Sequence, residues 1–361
     1  MRKLFLFICF MAFCAGTDGN ACTSAIFTAR ASGLGRPVML KHRDTGQLNN
    51  RIERFQGPKY GFIGLTNSDR DQGEVWSGMN DAGFCIMNTA AYNFKDDDVP
   101  AEQMDREGIV MYGALGLCAT VDEFEEYLSS LPQPWGVEAN FGVIDAFGGA
   151  AYFEVNNHLY VRHNVEDTLD GYLVVTNWCE SGRPEDRKGV DRREKAEEIL
   201  LANKGCRRDA AFLFDSISRS GSPILRNITS ASIVFEGVRK GMDPKHTVMW
   251  TVLGYPVDAV AVPLRVDCAV PAALQAASDG HAPLCDLAME LKEGKVDVLD
   301  LVRAEEAGFM PAYRALQSRY EAGKVSESYF SKKYKKLIDR YLEHYMRNTV
   351  PARVAELPEN D

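Results

Sequence analysis

The chain has 361 residues, 45% of them hydrophobic and 25% charged, enough for one large domain or two moderate ones with a proper core. Its formal net charge is −10, with 41 basic residues against 51 acidic ones. That balance, with no basic stripe interleaved by aromatic residues, argues against a nucleic-acid partner.

Arg2 and Lys3 precede an apolar run from Leu4 to Phe13 that is too short to cross a bilayer. The pattern predicts a secretory signal peptide over residues 1–21, no transmembrane span, and a product that is periplasmic or secreted. The small residues of Gly19-Asn20-Ala21 put the cut before Cys22. A second site, Cys14-Ala15-Gly16, would leave 17–21 as a pro-segment that Cys22 could remove by attacking the Ala21 carbonyl. Either route makes Cys22 the first residue, so that one residue carries a thiol and a free α-amine. That amine, with a reference pKa of roughly 7.7–8.0, can take the thiol proton near neutrality without a histidine partner. Two other readings stand beside this one: a lipidated cysteine of a binding protein, and an ordinary buried or disulfide-bonded cysteine. Seven cysteines follow the leader, an odd number, and no disulfide is assigned.

From Cys22 the β-branched run to Ala29 predicts a strand, and Val38 to His42 a second one after the turn chemistry of Ser32-Gly33 and Gly35-Arg36-Pro37. Residues 22–44 thus read as a hairpin that returns Arg43-Asp44 to the side of Cys22. A carboxylate there can hold the α-amine, and a cation there favours thiolate. The solvated strand end is the competing reading of Lys41, Arg43 and Asp44. Asn80-Asp81-Ala82-Gly83 predicts a turn between two apolar strands, the second ending at Asn88. A strand-end amide is suited to donating to an oxyanion, although a turn-forming role is commoner.

Helices are predicted at about 104–118 and 120–130, the second opening on the capping box Thr120-Val121-Asp122-Glu123. Three short strands follow, Phe141 to Ala146, Ala151 to Val155 and Leu159 to Arg162. The run Tyr172 to Asn177 predicts a strand ending in another exposed amide, Asn177. Helices at about 188–203 and 209–218 lead to strands at Ala231 to Phe235, Thr247 to Leu253 and Ala259 to Pro263. Beyond residue 281 helices are predicted at 284–293, 298–321 and 326–347. The last has an aromatic face that suits packing on the main body. Asn227-Ile228-Thr229 is a glycosylation sequon whose use depends on the host.

The order of these features resembles the cysteine N-terminal-nucleophile hydrolases. The nearest branch is the penicillin acyltransferase-like linear amide hydrolases, with choloylglycine (bile salt) hydrolases and acid ceramidase more distant. The resemblance covers about residues 22–265. It rests on Ala-Cys-Thr-Ser at 21–24, Lys-His-Arg-Asp-Thr at 41–45, Gly-Met-Asn-Asp-Ala-Gly at 78–83 with Asn88 after it, Asp145-Ala146-Phe147-Gly148 with Glu154, Thr-Asn at 176–177, and Trp250-Thr251 through Gly254-Tyr255-Pro256 to Val262-Pro263-Leu264.

The resemblance implies an α+β fold, an αββα four-layer sandwich over 22–280, with 281–361 as a helical extension packed on it. It implies Cys22 as nucleophile and its own base, Asp44 holding the α-amine, and Asn88 and Asn177 polarising substrate and oxyanion. Bile salt hydrolases read Arg-Asn-x-Asp where this chain has Lys41-His42-Arg43-Asp44. Because adjacent strand residues face opposite ways, which of Lys41 and Arg43 reaches the thiol stays open. The family's later arginine falls at Arg192 as a substrate-binding residue, with a helix-surface charge as the alternative. The implied activity is hydrolysis of a linear amide in a small-molecule substrate, such as an N-acyl amino acid or a bile-salt-like compound. No metal or organic cofactor is implied. Transfer of the acyl group to an amine, and assembly into a homo-oligomer, both stay open.

Overall fold

The structure is a computed structural model that describes residues 21–69, 73–95 and 99–355, with side chains to residue 349. The signal-peptide expectation, with Gly19, Asn20 and the Cys14-Ala15-Gly16 site, lies outside the described residues apart from Ala21.

In chain order the elements are β1 (Thr23–Phe27), α1 (Ala29–Ser32), β2 (Val38–Asp44), β3 (Asn50–Gln56), β4 (Gly61–Asn67), β5 (Ser77–Asn80), β6 (Cys85–Ala90), α2 (Glu107–Leu117), α3 (Val121–Ser130), β7 (Ala139–Ile144), β8 (Ala150–Val155), β9 (Tyr160–Asn164) and β10 (Tyr172–Val175). They continue with α4 (Val190–Ala202), α5 (Ala210–Leu213), β11 (Thr229–Glu236), β12 (Val248–Leu253), β13 (Ala261–Leu264), α6 (Pro283–Glu293), α7 (Leu299–Glu321) and α8 (Glu327–Ala355). Six strands form one antiparallel sheet in the order β10-β1-β2-β11-β12-β13, and seven form another in the order β3 to β9.

The sheets stack face to face. Away from Cys22 their facing residues are mostly apolar because a sheet buried on both faces has no water for polar side chains. Gly142 on β7 shows how closely they meet: a Cβ there would lie 3.1 Å from Ile26 Cδ1 across the interface, and 2.2 Å from Met87 Cε of the neighbouring strand β6. Helix α2 lies against β4, β5 and β6, while α4, α5 and α6 lie against β10, β11 and β12. The result is the expected α+β arrangement of two antiparallel sheets between helices.

Local signals explain most boundaries. Helix α3 is capped by Thr120 Oγ1 accepting from Glu123 N at 3.0 Å, while Glu123 Oε2 accepts from Ala119 N at 2.6 Å. Strand β3 went unpredicted. It is the edge of the seven-stranded sheet, and its run Asn-Arg-Ile-Glu-Arg-Phe-Gln buries only Asn50 and Ile52, so polar side chains hide its alternation.

The C-terminal helices bind to the far edge of the six-stranded sheet. Tyr334, Tyr341 and Tyr345 of α8 donate their hydroxyls to Pro263 O at 2.7 Å, Ala261 O at 3.2 Å and Asp258 O at 2.6 Å. These acceptors lie on and just before the edge strand β13, so the helix satisfies backbone groups that an open edge would expose. Helix α7 adds buried ion pairs. Glu306 takes both Arg219 guanidinium nitrogens at 2.8 and 2.7 Å and also accepts from Ala261 N at 2.8 Å, and Arg314 meets the fully buried Glu236 on β11.

Candidate active site

Cys22 directly precedes β1, between β10 and β2. Pairing of Thr23 with His42 and of Ser24 with Lys41, together with the bond from Ala21 N to Asp44 O at 3.1 Å, brings the end of β2 beside it. The predicted hairpin is therefore present, with the short helix α1 inside its turn. The Cys22 thiol is free and only 6% of the residue is exposed.

A cavity of about 190 Å³ opens there. Its walls include Cys22, Lys41, Arg43, Asp44 and Asn88 from the expected set, joined by Asn67, Trp76 and Asp105. Lys41 and Arg43, between which the sequence left the choice open, both line it. They stand two residues apart, so they share a face of β2, and His42 and Asp44 take the other.

Lys41 Nζ donates to Asn88 Oδ1 at 2.7 Å and to the Trp76 carbonyl, both on the opposite sheet's side. Since Oδ1 takes the ammonium proton, the amide nitrogen of Asn88 is the end left to donate into the cavity. Burial lowers the Lys41 pKa to about 7, with charge on Cys22 opposing the shift and Arg43 adding to it. Arg43 is held by Asn50 Oδ1 and by Asn67 Oδ1 at 2.9 Å, and its guanidinium lies 5.5 Å from the centre of the Trp76 ring. Lys41 is thus the cation tied to the amide at the cavity, and Arg43 is clamped between the sheets.

Asp44 is fully buried. Its carboxylate accepts from Thr229 Oγ1 at 2.6 Å, with Arg226 Nη1 at 3.9 Å and His42 Nε2 at 3.6 Å. Burial, aided by the charge of Arg192, holds the His42 pKa down at about 3, so this histidine is neutral. Tyr92 belongs to the same neighbourhood: burial first, and then charge on Cys22, pushes its pKa up to about 12.

Asn177 and Arg192 lie behind the cavity rather than in its wall. Arg192 donates to the Cys22 carbonyl, to Thr23 Oγ1 at 3.0 Å and to Asn177 Oδ1 at 2.6 Å. It is buried, so it is not a solvated helix charge. Gly189, at φ 78°, leaves room for it: a Cβ there would lie 2.1 Å from Arg192 Nη2. Asn177, expected as an exposed amide, is fully buried just past the end of β10, and its Nδ2 donates to Ala90 O at 2.8 Å. Both its ends are engaged within the protein, and it ties β6 to the arginine that holds Cys22.

Residues that the sequence reading passed over complete the surroundings. Asn67 ends the apolar strand β4, and the strand-end rule would have found it, whereas Asn88, expected at a strand end, lies inside β6 opposite Phe141. Nothing in the sequence marked Asn50, Trp76 or Asp105. Thr229, read only as part of a sequon, has its hydroxyl fully buried against Asp44.

Among the described residues no group of three or more His, Cys, Asp or Glu is arranged to hold a metal ion, and no helix is long and apolar enough to cross a membrane. Chemically, the cavity offers a thiol, an amide donor fixed by a buried amine, and a carboxylate within one small enclosure.

No protein-family profile matches the sequence, and no curated protein does. Among solved structures, the chain is similar to a Caenorhabditis elegans ortholog of N-acylethanolamine-hydrolyzing acid amidase, with 18% identity, 62% of this chain and 93% of that one covered, and a TM-score of 0.46. It is similar to penicillin V acylase from Agrobacterium tumefaciens, with 15% identity, coverage of 68% and 86%, and a TM-score of 0.43. A conjugated bile acid hydrolase from Clostridium perfringens aligns at 12% identity, with coverage of 68% and 92% and a TM-score of 0.43. Overlaps this loose leave the functional reading to the chain's own residues.

Proposed function

We propose that the chain is an exported cysteine amidohydrolase of the N-terminal-nucleophile kind, which cleaves a linear carbon–nitrogen amide bond through a thioester on Cys22. The observation that carries this reading is the meeting, in one cavity, of a nearly buried free thiol at a strand start with an amide donor held by Lys41. The positively charged leader followed by a short apolar run supports export and removal of the residues before Cys22.

In the mature chain the α-amine of Cys22 takes the thiol proton, and Sγ attacks the substrate carbonyl carbon. The carbonyl oxygen becomes an oxyanion that the Asn88 amide stabilises by donating to it. As the tetrahedral adduct collapses, the carbon–nitrogen bond breaks and the α-ammonium returns its proton to the leaving amine. Water then attacks the thioester, gives a proton to the α-amine, and releases the acid and the thiol. Arg192 holds the Cys22 carbonyl so that the thiol keeps one aim, and Asp44 favours the charged form of the amine. Water is written as the acceptor; an added amine that diverts product into a new amide would reveal transfer instead.

The test is the N-terminal peptide mass of the exported protein together with turnover of a panel of N-acyl amides by wild type and Cys22→Ala. The expected result is an unmodified chain beginning at Cys22, with activity lost by several orders of magnitude in the variant. A lipid-modified Cys22, or fully processed protein that keeps residues ahead of it, would remove the α-amine base and with it the proposal.

A further inference from the structure

We propose that Ser232, His42 and Thr229 form a directional hydrogen-bond chain that holds Asp44 as an ionised carboxylate in one position, making these three the positioning residues of the Cys22 site. The inference rests on the roles given to Cys22 and Asp44 above.

The arrangement begins with strand register. Ser232 on β11 stands opposite His42 on β2, and Thr229 stands opposite Asp44. Positions 229 and 232 are three apart and would face opposite ways on a regular strand. A β-bulge between Thr229 and Ala231 inserts Ser230 and turns Thr229 to the face of Ser232, while Ser230 Oγ itself points to Arg43 at 3.4 Å. All four members of the chain are fully buried.

Counting protons then sets the direction. The carboxylate of Asp44 can only accept, so the Thr229 hydroxyl gives it its single proton, at 2.6 Å. With that proton committed, Thr229 Oγ1 can only accept from its other neighbours, the backbone N–H of Arg226 at 3.0 Å and Nε2 of His42 at 3.3 Å. His42 therefore carries its proton on Nε2, and being neutral it presents a lone pair on Nδ1. Ser232 Oγ, 2.8 Å from Nδ1, must donate. The order Ser232 to His42 to Thr229 to Asp44 satisfies these four side chains, with the backbone carbonyl of Ile224 as a further acceptor beside the His42 ring. A histidine in this place acts as a neutral relay and adds no charge. Among the described residues, the charged or titratable groups that face Asp44 include Arg226 before β11, Arg192 on α4, Tyr255 after β12 and His42 on its own strand.

The experiment uses full-length protein, exported and confirmed by mass to begin at Cys22, and follows kcat and KM against pH on one N-acyl amide that the wild type turns over. Thr229→Val removes the donor to the carboxylate, so protonation of Asp44 becomes easier and the acid limb of kcat/KM moves to higher pH by roughly one unit. We expect kcat to fall about tenfold or more, as for loss of a hydrogen bond to a charged group, with KM within about twofold. Thr229→Ser restores both. The decisive variant is Ser232→Ala, which makes no contact with Asp44: freed to move its proton to Nδ1, His42 can then draw the Thr229 proton toward Nε2, and the acid limb shifts the same way by less. Melting temperatures separate these effects from general loosening. An unmoved acid limb in both Thr229→Val and Ser232→Ala, or a Thr229→Ser no better than the valine, overturns the chain while leaving the enzyme reading intact. A correctly processed wild type without thiol-dependent amide cleavage overturns that reading, and this inference with it.

Discussion

Around β1 and β2 the six-stranded sheet gathers Lys41, Arg43, Asp44, His42 and Arg192 into its interior, whereas at β13, four strands from β1, it meets tyrosines and paired carboxylates. Both regions bury polar groups, which is costly unless each is partnered. At β13 the three buried tyrosine hydroxyls of α8 each end on a backbone carbonyl and Glu306 is bracketed by one arginine and one backbone amide. At the cavity a residue is fastened by one end and the other is left facing space: Asn88 is gripped at Oδ1, Cys22 at its carbonyl. The difference separates a region built to stay shut from one built to accept a further atom.

Four changes test that contrast. Glu306→Gln should be the most damaging to stability, by about 3–5 kcal/mol, because it leaves the buried Arg219 guanidinium without its counter-charge. Urea unfolding would measure it, and kcat per folded molecule should hold; a matching loss of kcat would tie α7 to the chemistry and erase the contrast. Asn88→Ala should do the reverse, lowering kcat by about 10²–10³-fold with a small change in melting temperature. Turnover within a few-fold of wild type would remove Asn88 from the oxyanion role.

The third change concerns pH. Lys41 has its pKa depressed from 10.5 to about 7 by burial, so across that window the unfolded chain binds a proton that the folded chain does not. Stability should therefore rise with pH between about 7 and 10.5 through this group, and Lys41→Met should flatten the rise. Equal slopes in the two proteins, from urea midpoints at several pH values, would count against a buried, half-neutral amine. The smallest effect belongs to Tyr341→Phe, which loses one neutral hydrogen bond to Ala261 O and about 1 kcal/mol, with activity unchanged.

The hairpin, the strand ends and the long helices were legible because each has a local cause: turn glycines, alternation, a cap, an aromatic face. Cys22, Asp44 and Asn88, which line one cavity, were singled out by asking which residue types a hairpin and a strand end would bring together. What stayed hidden depends on partners distant in sequence. Arg192 reads as a surface charge until its helix is packed against Cys22, and Asn177 reads as exposed until Arg192 covers it. Thr229 was passed over as a neighbour of Asp44 because a bulge, which no composition announces, decides its face. The pairing of Lys41 with Arg43 needed no structure, since residues two apart on a strand share a side.

The tyrosines of α8 carry one further consequence, concerning length. From Tyr334 to Tyr345 the helix advances about 16 Å at 1.5 Å per residue, and from Pro263 back to Asp258 the chain reaches at most about 17 Å. The three hydroxyls thus meet their carbonyls along one stretch of chain, two on β13 and the third at the bend of Asp258 before it. A slide of the strand by one residue, about 3.3 Å, would carry all three acceptors out of reach at once. The helix thereby works as a gauge laid along the sheet, rejecting every register of β13 but one.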